Sequence, residues 1–127
     1  MSTSVQPASA IFKTAVKIDL VYVDDEAQKM RINAIVAGGK IASHEMYCHL
    51  IEWNGVENEL QPVILTAEDD SLLIFEAEWG YGHKSDVRFE FLDRPLIAEQ
   101  EVIRSDVVSG KRHAYIYRIV CITDLLR

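Results

Sequence analysis

Several features that define whole classes of protein are missing from this chain of 127 residues. No apolar run approaches the roughly 20 residues that a membrane-spanning helix requires, so no membrane partner of that kind is expected. The first ten residues lack both the basic region and the long apolar region of a secretory signal, and we therefore expect a cytoplasmic protein. Only two cysteines occur, Cys48 and Cys121. Both lie in apolar stretches, which predicts buried, reduced thiols rather than a disulfide framework.

Positive charge is also scarce. Thirteen basic residues against twenty acidic ones give a formal net charge of −7, which argues against nucleic acid and against an anionic membrane as partners. No lysine or arginine lies between Lys40 and Lys84, although that interval holds a long series of aspartates and glutamates. This acidic segment fits either a face that attracts a basic partner or a solvated exterior that keeps a β-protein soluble.

What the sequence does contain is a regular alternation of apolar and polar residues. From Leu73 to Phe91, apolar residues alternate with charged ones on both sides of a polar loop at residues 80–85. Successive side chains of a strand point to opposite faces, so this pattern predicts a β-hairpin. Similar alternation at 15–23 and 30–36 predicts a first hairpin, and the remaining strand-like segments are 63–66, 96–108 and 113–123.

Residues 43–53 fit two structures. As a helix, the segment would be capped by Ser43 and would end at Gly55. As a strand, it would turn Met46, Cys48 and Leu50 towards the core, and Asn-Gly at 54–55 would form a tight turn. The strand-like neighbours on both sides favour the strand.

These patterns predict an all-β protein, with a short helix at about 43–53 as the one local alternative. About eight antiparallel strands joined by short turns form either a closed β-barrel, which we predict, or a two-sheet β-sandwich. Residues 1–10 are expected to form a flexible tail and residues 11–127 a single β domain, because the length matches one domain.

Catalytic motifs are weak throughout, and we predict no catalytic residue, no metal site and no cofactor. The spacing of His44 and Cys48 superficially resembles a zinc-protease motif. On a strand, however, four residues at roughly 3.3 Å each would separate these two side chains by about 13 Å, too far for one ion.

Aromatic residues provide the more specific functional hypothesis. A glycine-bearing hairpin loop with several rings, placed at the mouth of a barrel, suits a small-ligand site. The residues predicted to bind such a ligand are Trp53, Trp79, Tyr81, His83, Tyr115 and Tyr117. We therefore expect a non-enzymatic β-barrel that binds a small apolar or aromatic molecule.

Two other functions stay open at this stage. The acidic face or a strand edge could engage a protein partner, including further copies of the chain in a homo-oligomer. Alternatively, a small barrel enzyme could use His49 or His83 as a general base. An internal cavity would favour ligand binding, because a packed sandwich leaves no interior volume for a ligand.

Overall fold

A computed structural model describes residues 12–79 and 83–125, without the side chains of residues 83–85. The strands are β1 (Lys13–Tyr22), β2 (Asp25–Ala37), β3 (Lys40–Ile41), β4 (Glu45–Trp53), β5 (Asn58–Ala67), β6 (Ile74–Trp79), β7 (His83–Glu90), β8 (Glu101–Val108) and β9 (Lys111–Asp124). Among these described residues there is no helix, and hence none with the length and apolarity to cross a membrane. The expected tail at residues 1–10 lies outside the described ranges.

Eight of the strands form a closed antiparallel barrel. Their order around the wall is β1, β9, β8, β7, β6, β5, β4, β2, and a further pairing of β2 with β1 closes the sheet. The two-residue strand β3 is an addition that pairs with the end of β2. The predicted barrel of about eight strands is confirmed, and the sandwich alternative is wrong, because one continuous sheet returns to its own first strand.

The segment that fitted either a helix or a strand is strand β4, so the helix alternative is wrong. β4 pairs with β2 on one side and with β5 on the other. Met46, Cys48 and Leu50 are buried, whereas Tyr47 between them is exposed. Pairing on both sides together with burial of every second side chain outweighs the local helix signals.

The inward-facing side chains of the eight wall strands form one core. Its largest fully buried members are Phe75, Phe89, Ile18, Leu20, Met30, Ile32, Met46, Leu50, Leu65 and Ile119. They are contributed by strands on all sides of the barrel, and the interior is therefore packed with side chains over most of its length.

A β-bulge in β9 corrects the prediction for one of the two cysteines. Along the β1–β9 pair, Asp19 lies opposite Cys121 and Leu20 lies opposite Ile119, so Val120 is an extra residue. The extra residue reverses the alternation, and Cys121 faces outward and is exposed rather than buried. Cys48 is buried as predicted, and its burial raises the pKa of its thiol to about 12.

The two ends of the barrel differ in how they are covered. The connections β1–β2, β4–β5, β6–β7 and β8–β9 meet at one end, which we call the turn end. At the opposite end, the long connection after β7 reaches the β2–β3 turn, where the Leu96 amide donates to the Gly39 carbonyl over 2.9 Å. Leu96 also packs against the core. This connection covers the far end, and the turn end is the one at which the interior can open.

Candidate functional site

A cavity of about 220 Å³ opens inside the turn end of the barrel. It is lined by side chains from five neighbouring strands: Tyr22 on β1, Gln28 on β2, Glu52 on β4, Arg104 and Asp106 on β8, and Tyr115 and Tyr117 on β9. Each of these residues continues the inward alternation that forms the core deeper in the barrel. The cavity is thus the outermost layer of the barrel interior, where polar and aromatic side chains replace aliphatic ones.

Three tyrosines form one wall of this cavity. Tyr22 lies opposite Tyr117 in the β1–β9 pairing, and their ring centroids are 5.5 Å apart. The ring of Tyr115 meets Tyr22 edge-on at 6.0 Å. The phenol of Tyr22 also donates to the Asp24 carboxylate over 3.3 Å. Desolvation, followed by the charge and hydrogen bond of Asp24, raises the pKa of Tyr22 above its ordinary value.

The facing part of the cavity is polar and incompletely hydrogen-bonded. Arg104 donates from Nη1 to the Tyr117 hydroxyl over 3.3 Å, yet its Nε is buried without a partner among the described residues. Asp106 Oδ1 and Gln28 Oε1 are likewise buried and lack a hydrogen-bond partner among the described residues. A buried polar group left unpaired costs about 1–3 kcal/mol, so native proteins contain few of them. These three atoms are themselves inaccessible to solvent, so they lie behind the surface of the cavity although their residues line it.

The charges of the lining are mixed. Within the described lining, the charged groups are the carboxylates of Glu52 and Asp106 and the guanidinium of Arg104. The positive charge of Arg104 also acts on the thiol of Cys48, where it partly offsets the burial that raises the pKa of that thiol. The charge of Arg104 thus acts electrostatically on the top layer of the core as well as on the cavity.

The structure brings together two of the predicted ligand-binding residues, Tyr115 and Tyr117, which both line the cavity. Trp79 is partly buried against the core and is paired with Val63, but it does not belong to the cavity lining. Trp53 is 47 % exposed and follows Glu52, so it faces outward from the end of β4.

The other two predicted residues belong to the β6–β7 loop. The backbone of His83 pairs with Trp79, which places His83 at the turn end. Tyr81 lies outside the described residues, as does the rest of the centre of this predicted ligand-binding loop.

Five lining residues are absent from the ligand-binding set predicted from the sequence: Tyr22, Gln28, Glu52, Arg104 and Asp106. The signal that could have identified them is their spacing of two from buried residues on the same strand. Arg104 and Asp106 follow the buried Val102 at intervals of two, and Gln28 precedes the buried Met30 in the same way. A charged or amide side chain in phase with a core face lies inside the barrel, although composition alone suggests the exterior.

No group of three or more histidine, cysteine, aspartate and glutamate side chains in the described part of the chain is arranged to hold a metal ion. Comparisons of the chain with protein-family models, with curated proteins and with solved structures gave no match.

Proposed function

We propose that this protein is a non-enzymatic binding module that holds a small aromatic ligand in the cavity at the turn end. The observation that supports this most directly is the cavity of about 220 Å³ itself, which is walled by Tyr22, Tyr115 and Tyr117 and is also lined by Gln28, Arg104 and Asp106. A ligand ring can stack on the tyrosine rings or meet them edge-on, and the polar side chains of the lining can pair with a polar substituent.

The volume of the cavity limits the size of the ligand. A cavity of about 150 Å³ is known to hold benzene, whereas a water molecule occupies roughly 30 Å³ of liquid. The 220 Å³ available here therefore suit one ring with a few substituents, or a compact fused pair of rings. The polar side chains of the lining also narrow the initial hypothesis to aromatic ligands with a polar substituent, because a purely apolar ligand would desolvate those side chains without pairing with them.

Catalysis receives less support. His49 lies between the buried Cys48 and Leu50 on β4 and so faces the outside of the barrel, away from the cavity. The described lining holds no histidine and no nucleophile paired with a base. We accordingly propose binding rather than turnover, in the cytoplasm, which the two free cysteines favour.

The test is a nuclear magnetic resonance titration of labelled protein with phenol and with indole, a single and a fused ring. Binding in the cavity predicts shifts that cluster at Gln28, Arg104 and Tyr115 and that disappear in Tyr115→Ala. The matched control is Tyr47→Ala, which removes an exposed tyrosine from the outer wall and is expected to leave the shifts unchanged. Shifts elsewhere, or shifts that persist in Tyr115→Ala, would contradict the proposal.

A second candidate function, self-association, is favoured by the outer wall over β4 and β5. Its apolar side chains form what we call the outer strip: Tyr47, Ile51, Trp53, Leu60, Pro62 and Ile64. Tyr47 is 58 % exposed and Leu60 is 63 % exposed. Contiguous apolar surface of this kind marks interaction sites. Since each wall strand has a neighbour on both sides, a partner would pack on this face rather than add a strand.

Charge complementarity indicates that the occupant of the outer strip is a second copy of the chain. Lys29, opposite Ile51 in the β2–β4 pairing, lies at one side, and Glu78, opposite Ile64 in the β5–β6 pairing, lies at the other. A two-fold axis along the surface, midway between these corners, brings each lysine onto the glutamate of the partner copy. Such self-complementarity is what an isologous dimer requires.

Sedimentation velocity tests this second candidate. Lys29→Glu and Glu78→Lys are each expected to weaken the dimer, whereas the double variant restores it because the exchanged charges again face each other. Lys111→Glu, in the distant β8–β9 hairpin, is the control and should have no effect. A chain that stays monomeric, or a double variant no better than either single one, would exclude the second copy as occupant and leave a different protein as the candidate.

A further inference from the structure

We infer that the aromatic ligand of the turn-end cavity is a cation, a ring that carries an ammonium group. This ligand class rests on the proposed binding function and specifies the charge of the polar substituent. Three features of the described residues support it: a carboxylate in the lining without a compensating charge, the tyrosine rings of the wall, and the acidic connections on one side of the mouth.

Glu52 is the carboxylate of the lining that no nearby cation compensates. It lies on β4, and the guanidinium of Arg104 lies on β8. Three strands separate β4 from β8 in either direction around the wall. Arg104 has Asp106 two residues away on the same face of β8, so the charges of these two residues offset each other locally. Among the described residues, Glu52 forms no ion pair, and its charge remains available to a ligand.

A second carboxylate increases the negative potential beside Glu52. Glu59 lies directly opposite Glu52 in the β4–β5 pairing, so both side chains are on the same face of the sheet. Like charges in this arrangement repel each other. The amide of Asn54 donates to Glu59 Oε1 over 2.9 Å, but a neutral amide does not cancel the charge. A cation on this side of the cavity would relieve the repulsion, whereas an anion would add to it.

The tyrosine rings provide a second attraction for positive charge. Aromatic rings attract cations over their faces, and three tyrosines line the cavity. Tyr22 donates its hydroxyl to the Asp24 carboxylate over 3.3 Å, and donation to an anion makes a phenol ring richer in electrons. The carboxylate of Asp24 also adds negative charge beside the tyrosine wall. The same wall that suits an aromatic ring therefore also favours a positive substituent.

The mouth of the cavity is acidic on the side of Glu52. The β1–β2 and β4–β5 connections and their flanks, residues 23–27 and 52–60, contain carboxylates and no lysine or arginine: Asp24, Asp25, Glu26, Glu52, Glu57 and Glu59. Glu26 pairs with Arg118. The lysines and arginines of this end belong to the other two hairpins, at Lys84, Lys111 and Arg112. Such an asymmetric distribution attracts cations to the side of the mouth where Glu52 lies.

A nuclear magnetic resonance titration with three probes of similar size tests the inference: benzylamine, benzyl alcohol and benzoate. At neutral pH the amine is a cation, the alcohol is neutral and benzoate is an anion, while each keeps one benzene ring and one short substituent. We expect benzylamine to bind at least about tenfold more tightly than benzoate, with benzyl alcohol between them. The shifts that report binding should cluster at the turn end.

Glu52→Gln assigns the preference to a named side chain. Glutamine keeps the shape of glutamate and removes its charge, so the preference for benzylamine over benzoate should fall at least about threefold, while the affinity for benzyl alcohol stays unchanged. Asp70→Asn removes one charge from an exposed carboxylate in the β5–β6 connection and is the matched control. Circular dichroism shows whether each variant is folded.

Salt provides a measurement that needs no variant. Raising sodium chloride from about 0.01 M to about 1 M shortens the Debye length from roughly 30 Å to roughly 3 Å. The affinity for benzylamine should fall at least about threefold over this range, and the affinity for benzyl alcohol should not. Equal responses of the amine and the alcohol would overturn the inference.

The outcomes distinguish the ligand class from the binding function on which it rests. If benzyl alcohol or benzoate binds as tightly as benzylamine, or if Glu52→Gln leaves the preference intact, the cationic class is wrong while ring binding stands. The same holds if none of the three probes binds although phenol or indole shifts the signals of the turn end. If phenol and indole also produce no shifts there, both the class and the binding function are wrong.

Discussion

Arg104 donates from Nη1 to the hydroxyl of Tyr117 over 3.3 Å, while the Nε of the same guanidinium remains unpaired among the described side chains. A single side chain thus holds one tyrosine of the aromatic wall in place and keeps one buried donor unsatisfied. Functional sites commonly contain such unsatisfied groups, because what favours binding does not favour the stability of the empty protein.

Replacement of Gln28 by methionine tests this conflict between stability and binding. The buried Oε1 has no partner among the residues that the structure describes, and the amide nitrogen makes one long contact of 3.5 Å to Asp25. We expect Gln28→Met to leave the free energy of unfolding unchanged or to raise it by up to about 1 kcal/mol, as measured by urea denaturation.

Gln100 provides the contrast for this experiment. Its Oε1 also lacks a partner within the described part of the chain, but its amide nitrogen donates to the Pro95 carbonyl over 3.3 Å at the far end of the barrel. Gln100→Met should therefore lower the free energy of unfolding by about 1 kcal/mol. A large loss of stability in Gln28→Met would show that its oxygen has a partner.

Cys48 makes stability depend on alkaline pH. Its thiol has a pKa of about 12 in the folded protein, against roughly 8.5 in an unfolded chain. Between these values the unfolded thiol loses its proton while the folded thiol keeps it. The free energy of unfolding therefore falls as pH rises above about 8.5, by up to roughly 1.4 kcal/mol per pH unit, and is unaffected by this group at lower pH.

The contribution of Cys48 is isolated by comparison with Cys48→Ala. Other groups titrate equally in both proteins, so the difference between their free energies of unfolding should shrink from pH 8 to pH 10. Parallel curves over that range would show that the thiol is not protected from ionisation in the folded state.

Chemical labelling distinguishes the two cysteines. Cys121 is exposed because of the bulge at Val120, whereas Cys48 is buried. Iodoacetamide should therefore modify one thiol of the folded protein and two thiols of the unfolded protein, as counted by intact mass. In Cys121→Ser the folded protein should remain unmodified; rapid modification of that variant would contradict the burial of Cys48.

Gly39 supports the contact that covers the far end. Its φ is +80°, and an added methyl group would lie 3.0 Å from Pro95 Cβ, closer than the ordinary contact of about 3.5–4.0 Å. Gly110 has a nearly equal φ of +78° with nothing within 4 Å. Alanine at Gly110 is expected to cost about 1 kcal/mol through backbone strain alone, and alanine at Gly39 should cost about 1 kcal/mol more. Equal losses in thermal or urea denaturation would show that the Pro95 contact contributes nothing.

Much of the barrel could be predicted from alternation, because strands with one buried face repeat every two residues. The hairpin of β6 and β7 is the clearest case: Phe75 and Phe89 are paired and both fully buried. The start of β8 was predicted too early, at residue 96 rather than Glu101. Residues 96–100 instead form a connection whose backbone makes hydrogen bonds to Gly39 and Ile119. Such contacts between distant parts of the chain leave no pattern in the local sequence.

The candidate site was less predictable for the same reason. Tyr115 and Tyr117 were identified because rings at a strand end suit a binding site. Arg104 and Asp106 resemble surface charges until the barrel closes, and only then does the alternation of β8 place both of them inside. The bulge at Val120 likewise depends on how β1 pairs with β9, and no property of residues 119–122 alone specifies it.

The contrast between the two ends of the barrel has a consequence for how such a chain can change. The long connection that contacts Gly39 and the aliphatic layers beneath it maintain the fold, whereas the layer just under four hairpins holds the polar and aromatic side chains that line the cavity. Under the proposed binding function, substitutions in that layer would alter selectivity while the aliphatic layers preserve the folded state. Such a scaffold could acquire new specificities in small, independent steps.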